Sequence, residues 1–188
     1  MIESPSRDTL FSLTNHEVFI VTAGNQGREN GQIATWILPA SLAPGSPRVV
    51  AILSPSNFTH SLIEASGRFV INLLADDQDE LVPLFGLVSG REIDKFDSLD
   101  IGRTASGLPV IPGTCGWAEC AIVAMIDSGD RRIYLSDVVE QAVFANKIPL
   151  RKREAFAKQS TEIVALLREK QRLDGIRDEI LIRRFGHH

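Results

Sequence analysis

Short apolar segments separated by turn-forming residues run through the first part of the chain. Residues 18–23 (VFIVTA), 48–53 (RVVAIL) and 68–74 (RFVINLL) are rich in β-branched side chains and are flanked by Gly, Pro, Asn or Asp. Segments of this length and composition are typical of strands that are buried in a sheet. The pattern therefore predicts three internal strands.

The longest apolar segments lie in the second half of the chain. Residues 117–127 and 132–142 flank the turn-forming residues Ser128-Gly129-Asp130 and predict an antiparallel pair of strands. Between residues 86 and 116 the chain is rich in Gly, Ser, Asp and Pro, which predicts a long loop with one short strand near Pro109-Val110-Ile111. Loops of this length in a compact domain are usually functional or cover another element.

A further strand is predicted at residues 31–36. The eight-residue link GNQGRENG joins it to residues 18–23 as a loose hairpin, with Asn30-Gly31 as the turn signal. The sequence that follows, APGSP at residues 43–47, predicts an irregular loop.

Two short helices interrupt the strands. Residues 60–66 have apolar side chains at helical spacing, Ser61 and Glu64 match a capping box, and Gly67 matches the left-handed position that follows a helix. A similar box at residues 77–80 predicts a second short helix.

The C-terminal part of the chain has a different pattern. Residues 152–170 contain no Gly or Pro, and they predict one long amphipathic helix whose apolar stripe must cover the barrel or a second subunit. The change divides the chain into a domain at residues 12–147 and a helical extension at residues 148–188. The stripe consists of Phe156, Ile163, Val164 and Leu167.

The number and spacing of these elements predict the fold class. Six or seven strands joined mostly by short links favour a closed or nearly closed antiparallel barrel, because closure removes exposed edges. We therefore expect a mainly β protein, a split β-barrel (antiparallel, Greek-key-like) with short helices and an added C-terminal helix.

Composition and charge exclude several functional classes. The 188 residues carry a net charge of −4, and a nucleic-acid binder would usually present a basic face. No apolar stretch is long enough for a membrane helix, and the N-terminal sequence MIESPSRDTLF does not resemble a secretory signal. Cys115 and Cys120 form no metal-binding pattern with the histidines, so we expect no metal site and a reduced, cytoplasmic protein. His187 and His188 are compatible with the remnant of a purification tag.

A cluster of polar residues follows the predicted strand at residues 48–53 and precedes a helix. Backbone N–H groups at a helix start attract anions, and hydroxyl groups add further donors. The same residues could equally serve to form the turn and cap the helix. The cluster consists of Ser54, Ser56, Asn57, Thr59, His60 and Ser61.

The order of the motifs resembles the flavin reductase-like family, which has an FMN-binding split barrel. VFIVTA, ENGQIATW, PASL, VVAILSPSNFTHSLIEASGRFVINLL, DKF, GLPVI, WAECAIV and GD follow one another with spacings similar to those of the family. Each piece alone is a weak signal, but the ordered set is fairly specific and extends over residues 18–143.

The resemblance implies a flavin held beside the barrel, usually at a dimer interface. It implies that the second strand and the bend after it line the flavin ring, that the polar loop binds the flavin phosphate, and that the Lys of DKF adds a charge near the phosphate or the nicotinamide nucleotide. The implied ring-lining residues are Ala34, Thr35, Trp36, Ser41 and Leu42. The implied phosphate-binding residues are Ser54, Ser56, Asn57, Thr59, His60 and Lys95.

The resemblance further implies an NAD(P)H-dependent flavin reductase that binds FMN, with FAD as an alternative. The cofactor carries the redox chemistry, so no catalytic side chain and no metal are expected. We expect a homodimer with a potential electron-acceptor protein, and neither nucleic acid nor membrane as a partner. Many family members have GDH where this chain has Gly129-Asp130-Arg131, which leaves two alternatives open: an electron carrier without a nicotinamide step, or a non-catalytic dimeric binding protein. Arg131 itself is expected either to contact a dinucleotide phosphate or to be a solvated turn residue.

Overall fold

The structure is a computed structural model that describes residues 10–185. His187 and His188 and most of the N-terminal segment therefore lie outside the described residues. The strands are β1 (Phe19–Asn25), β2 (Arg28–Ala34), β3 (Ile37–Pro39), β4 (Arg48–Leu53), β5 (Arg68–Leu73), β6 (Gly102–Arg103), β7 (Pro109–Val110), β8 (Gly116–Asp127) and β9 (Arg132–Val143). The helices are a 3-10 turn (Leu10–Leu13), α1 (Phe58–Ser66), α2 (Leu81–Leu87), α3 (Lys152–Lys158) and α4 (Thr161–Phe185).

One antiparallel sheet organises the molecule, with the strand order β2-β1-β5-β8-β9-β4-β3. Its two edge strands, β2 and β3, are separated in sequence by only Thr35 and Trp36. A flat sheet of seven strands would be about 29 Å wide at ~4.8 Å per strand, whereas the three steps from Ala34 to Ile37 reach at most about 11 Å. The sheet must therefore curl until its edges approach each other, and the predicted antiparallel split barrel with its added helices is confirmed.

Both faces of β1 are covered, which explains its continuous apolar sequence. Val21 packs inside the barrel with Phe69 and Tyr134, while Ile20 packs on the other face against α2 and the C-terminal helices. Successive residues of a strand point to opposite faces. An unbroken apolar run is therefore required here, and the strand predicted from it is confirmed.

The hairpin between β1 and β2 differs from the prediction. Asn25 pairs with Arg28, so the turn contains only Gln26 and Gly27, and both have positive φ values of 49° and 77°. Positive φ at both positions is the geometry of a tight turn that matches strand twist. Asn30 is not in a turn but lies within β2 opposite Ala23. The predicted eight-residue link is wrong, because the turn is at Gln26-Gly27 and not at Asn30-Gly31.

The start of α1 also differs from the predicted capping box. The helix begins at Phe58 with Asn57 at the N-cap position, and the Ser61 hydroxyl donates to the Phe58 carbonyl 2.7 Å away within the helix. The predicted end is confirmed, since Gly67 has φ 68° and its N–H bonds to the Ile63 carbonyl. At the helix start, the side chain of Asn57 makes no capping hydrogen bond.

The predicted long helix is split into two. Residues Gln159 and Ser160 separate α3 from α4, and the Ser160 hydroxyl accepts a hydrogen bond from the Ile163 N–H at 3.3 Å. Serine is a favoured residue at a helix start, and this local signal was missed beside the apolar periodicity. α4 then continues to Phe185, beyond the predicted end at residue 170.

The chain between β9 and α3 returns to the barrel. The Leu150 N–H bonds to the Leu74 carbonyl at 2.9 Å, and the Val18 N–H bonds to the Leu150 carbonyl at 2.8 Å. Leu150 is fully buried. The helical extension is thus fixed to the barrel next to β1 and β5. Across residues 10–185, none of the helices combines the length and the apolarity needed to span a bilayer.

Candidate functional site

A cavity of about 420 Å³ lies between the end of β2, the loop after β4, α2 and the C-terminal helices. This volume lies within the range of small-molecule sites, roughly 300–1,000 Å³. The cavity brings together seven of the residues predicted from the sequence. They are Ala34, Thr35, Ser54, Ser56, Asn57, Thr59 and Lys95.

The loop after β4 supplies hydrogen-bond donors to this cavity. Ser54, Ser56 and Asn57 are half-buried at its wall, and α1 begins directly after them. The first N–H groups of a helix have no partner within the helix, and its N-terminus carries a partial positive charge. Because Asn57 does not cap the helix, its amide is available to a ligand. The loop can therefore bind an anion.

Thr59 is held in place from β2. It is fully buried, and its hydroxyl accepts a hydrogen bond from the Asn30 amide nitrogen at 2.9 Å. Asn30 is itself buried and lines the cavity. The bond fixes the orientation of the Thr59 hydroxyl and ties the start of α1 to the edge of the barrel.

Lys95 is a buried cation at the same cavity. It is 4% exposed, and its Nζ donates to the Gly31 carbonyl at 2.9 Å and lies 5.5 Å from the centre of the Phe85 ring. No carboxylate within residues 10–185 forms an ion pair with it. Burial, with a smaller contribution from Lys170, lowers the pKa of Lys95 from 10.5 to about 8. A buried ammonium without a carboxylate is costly, so the site favours an anionic ligand.

Arginine side chains extend the positive surface near the loop. The Arg91 guanidinium lies 5.5 Å from the Phe58 ring and 3.4 Å from the Ser56 carbonyl, and it lines the cavity. Arg28 lies over the same ring at 4.6 Å. These groups place further positive charge beside the start of α1.

Other residues predicted for the site lie outside this cavity. Trp36 is at a neighbouring apolar cavity of about 900 Å³, while Ser41 and Leu42 lie in the loop after β3, with Leu42 fully exposed. His60 lies on the buried side of α1, where its Nδ1 is 2.7 Å from the Tyr134 hydroxyl and its Nε2 is 3.2 Å from the Glu64 carboxylate. Burial lowers the pKa of His60, so its imidazole serves as an internal hydrogen-bonding group.

Several lining residues were not predicted from the sequence. Asn30 and Gln32 point to one side of β2, and the carbonyl oxygen of the buried Gln32 side chain has no partner among the described residues. Two polar residues at i and i+2 in a strand are a signal that could have been used. The contributions of α2 and α4 have no such local signal. They include Phe85 and Gly86 of α2 and Lys170, Gln171, Asp174 and Arg177 of α4, and Arg91 follows from the loop after α2.

A family profile described as the flavin reductase like domain matches residues 11–157. The chain belongs to the flavin reductase like family. The matched region contains the barrel, the polar loop after β4 and Lys95, so the cavity lies largely within the part that the family shares. Its remaining wall is α4, which begins after the end of the match.

Named relatives of this flavin reductase-like chain agree with that assignment. It is 32% identical over 75% of its length to "High molecular weight rubredoxin" of Moorella thermoacetica, and it spans 61% of that protein, less than two thirds of its length. It is 34% identical over 66% of its length to "FMN reductase (NADH) SmoA" of Agrobacterium fabrum, of which it covers 68%. Among solved structures, the NADH:FAD oxidoreductase SgcE6 of Streptomyces globisporus has a TM-score of 0.69 and 25% identity, covering 75% of this chain and 83% of that one.

Arg131 lies in the turn between β8 and β9. The sequence alone does not decide whether it contacts a ligand. In this flavin reductase-like chain it is an ion-paired residue, because its guanidinium is 2.7 Å from Asp178 and 3.2 Å from Asp130. The same group lies 5.4 Å from the Trp36 ring centre. Arg131 also lines the cavity and connects the β8–β9 turn to α4.

Proposed function

We propose that the protein is an FMN-binding oxidoreductase that acts as an NAD(P)H-dependent flavin reductase. The observation that carries the proposal is the cavity itself, where buried Lys95, which has no carboxylate partner among residues 10–185, shares the lining with a hydroxyl-rich loop at a helix start. Membership in the family and the names of relatives such as SmoA support the same activity.

The lining residues suit a phosphate and a flat ring. The hydroxyls of Ser54 and Ser56, the amide of Asn57 and the ammonium of Lys95 would hold the phosphate, since charge-assisted hydrogen bonds are the strongest available to it. Ala34 and Thr35 at the end of β2 would lie along the ring. When bound, FMN supplies the ring atom that accepts hydride and passes electrons on.

The side chains of this chain have a positioning role in the reaction. Thr59 and Asn30 fix the loop, the buried Gln32 carbonyl oxygen offers an acceptor to a ring N–H, and α2 and α4 keep bulk water from the cavity. The flavin contacts predicted for Trp36, Ser41, Leu42 and His60 stay predictions, because these residues do not line the cavity.

The partners are proposed on separate grounds. A homodimer is supported by the apolar cavity beside Thr35, which has exposed Phe11, Trp36 and Leu38 in its wall and would be covered by a second copy. A cytoplasmic location agrees with the buried, free thiols of Cys115 and Cys120. FAD as an alternative flavin, an electron-acceptor protein, and the division of the chain at residue 147 also remain proposals.

A second candidate is an FMN-binding electron carrier without its own nicotinamide step. It is favoured by Arg131, which is bound to Asp178 and not free to contact a dinucleotide, and by α4, which covers one side of the cavity. Rapid-mixing reduction of the FMN-loaded protein separates the candidates. The proposed reductase requires reduction by NADH or NADPH within seconds, whereas reduction only by a protein or chemical donor would support the carrier and remove the reductase.

Replacing Asn57 by alanine should weaken FMN binding about tenfold, because a hydrogen bond to a charged group contributes ~1.5–3 kcal/mol. The stability of the ligand-free protein should change little, since the Asn57 side chain makes no capping bond. Fluorescence titration with FMN and urea unfolding measure the two quantities.

The matched control for Asn57 is Ser61→Ala in the same helix, whose hydroxyl bonds to the Phe58 carbonyl and does not line the cavity. This control should retain FMN affinity. Equal losses of affinity in both variants would mean that the Asn57 effect arises from the helix and not from contact with the ligand.

A further inference from the structure

α4 does not have the distribution of charged and apolar side chains that is usual for a surface helix. The face toward the body of the protein is charged in its central part, where Lys170, Asp174 and Arg177 line the cavity. A neighbouring, solvent-facing side of the helix carries an exposed apolar stripe. An ordinary surface helix buries its apolar face, so hydrophobic burial alone does not hold this part of α4 on the barrel. The stripe consists of Leu166, Leu173, Ile176 and Ile180, each at least half exposed.

Specific contacts attach α4 at both of its ends. Near its start, Leu167 is buried in the cluster that contains Phe85, and a Cβ added to Gly86 would lie 3.5 Å from the Leu167 side chain. Near its end, a Cβ added to Gly129 in the β8–β9 turn would lie 2.8 Å from Phe185. The 18 residues between Leu167 and Phe185 correspond to about 27 Å of helix. α4 therefore crosses the cavity and is attached on both sides of it.

The attachment at the β8–β9 turn includes a buried ion pair. Asp178 is 5% exposed, and it is bonded by Arg131 at 2.7 Å and by Arg177 at 2.9 Å. Removing one partner of a buried carboxylate is destabilising. Arg131 belongs to the β8–β9 turn of the barrel and Arg177 belongs to α4, so of these two bonds to Asp178 the one from Arg131 joins the helix to the barrel.

The charges of α4 do not provide a second anion site. Asp174 lies 2.9 Å from both Lys170 and Arg177, so these cations are neutralised within the helix. The charged face of α4 is thus suited to covering a polar cavity and not to binding another phosphate.

We propose that α4 is a strap over the flavin cavity and that the Arg131–Asp178 pair sets how fast FMN enters and leaves. The proposal rests on the proposed function for the identity of the ligand, and it concerns a helix that begins after the region matched by the family profile. Arg131 is a positioning residue in this view, since it acts through α4 on the opening of the cavity.

Stopped-flow fluorescence of FMN binding tests the strap in the full chain. Arg131→Gln and Asp178→Asn should each raise both the association and the dissociation rate about tenfold, with a smaller change in Kd, because a looser strap speeds passage in both directions. The double variant should add little to either single variant, since both remove the same bond. A role confined to local stability would raise the dissociation rate and Kd while leaving the association rate unchanged, and that result would overturn the proposal.

The control for charge removal is Glu179→Gln, the neighbouring acidic residue of α4. Glu179 pairs with Arg183 on the exposed side of the helix and does not contact the barrel turn. Its rates should equal those of the unmodified protein. A rise in this control as large as that in Asp178→Asn would contradict a specific role for the Arg131 bond.

A second pair of variants tests the same attachment without removing a charge. Gly129 and Gly107 have nearly equal positive φ values, 89° and 87°, but only Gly129 contacts α4, while nothing lies within 4 Å of a Cβ at Gly107. Gly129→Ala should accelerate FMN exchange, and Gly107→Ala, which carries the same backbone strain, should not. Equal behaviour of the two variants would exclude the contact as the cause.

Hydrogen exchange of the ligand-free protein distinguishes failure of the strap from failure of the proposed function. Amides of residues 167–185 should exchange faster in Arg131→Gln than in the unmodified protein, whether or not FMN is the ligand. Faster exchange without any FMN binding would refute the flavin function and keep the strap. Unchanged exchange together with unchanged FMN rates would refute the strap alone.

Discussion

Replacing Lys95 by methionine should weaken FMN binding by about 30-fold or more at pH 7, because a hydrogen bond to a charged group contributes ~1.5–3 kcal/mol and each 1.4 kcal/mol is tenfold. Lys95 is buried beside the polar loop with no carboxylate partner within residues 10–185. The phosphate of FMN would supply the missing negative charge. The methionine side chain is of similar length and would still pack against Phe85. The loss of FMN affinity would therefore measure the effect of removing the charge.

The same residue predicts a pH dependence with a definite sign. In the ligand-free protein the pKa of Lys95 is lowered to about 8 from 10.5. The unfolded chain therefore binds more protons than the folded protein between those values, and the free energy of unfolding should rise with pH across this window. FMN affinity should fall above pH 8, because Lys95 then loses the proton that attracts the phosphate. Titrations at pH 7 to 10 measure both effects.

Lys152→Met provides the control for Lys95→Met. Lys152 lines the same cavity but is exposed, so its removal should reduce affinity only slightly. In Lys95→Met the dependence of affinity on pH above 8 should disappear, and the ligand-free protein should be at least as stable at pH 7 as the unmodified one. Persistence of the pH dependence in Lys95→Met would show that another group titrates.

Replacing Gly90, which lines the cavity beside Asn30, by alanine should disrupt the site. A Cβ at this position would lie 2.0 Å from the Asn30 side-chain oxygen, far inside the closest contact that real Cβ atoms show. Asn30 would have to move and release the Thr59 hydroxyl, which it now bonds at 2.9 Å. We expect a loss of stability of about 1–3 kcal/mol, typical of overpacking, together with a clear drop in FMN affinity. Urea unfolding and FMN titration measure these outcomes.

The control for Gly90 is Gly45→Ala in the loop after β3. Nothing lies within 4 Å of a Cβ at Gly45, and neither glycine has the positive φ that strains other residues. This variant should match the unmodified protein in both stability and affinity. If Gly90→Ala bound FMN as tightly as Gly45→Ala, the Asn30–Thr59 bond would not be needed for the site.

The sequence predicted the part of the site that depends on contiguous residues. The apolar strand at residues 48–53, the hydroxyls after it and the helix ending at Gly67 are specified by local pattern, and the barrel was predicted from the number of such strands and the short links between them. Four of the seven predicted residues at the cavity, Ser54, Ser56, Asn57 and Thr59, come from this one contiguous stretch.

The rest of the cavity depends on contacts between distant parts of the chain. Asn30 of β2 bonds to Thr59 of α1 across 29 residues of sequence, and Arg131 bonds to Asp178 of α4 from 47 residues away. His60 is predicted from its place in the polar cluster, and in the structure its Nδ1 lies 2.7 Å from the Tyr134 hydroxyl, while its contact with a ligand stays a prediction. The position of His60 in α1 sets the direction of its side chain, and the polar pattern of the sequence does not indicate that direction.

Comparing the affinities of FMN and riboflavin tests most directly whether the cavity holds a flavin phosphate. The two ligands share the ring and differ in the phosphate, so isothermal titration of both isolates the contribution of Lys95 and the loop at Ser54–Asn57. We predict that FMN binds at least ~100-fold more tightly than riboflavin at pH 7, as expected for several charge-assisted hydrogen bonds, and that this ratio falls in Lys95→Met. Equal affinities for the two ligands, or an unchanged ratio in Lys95→Met, would contradict the assignment of this cavity to the phosphate.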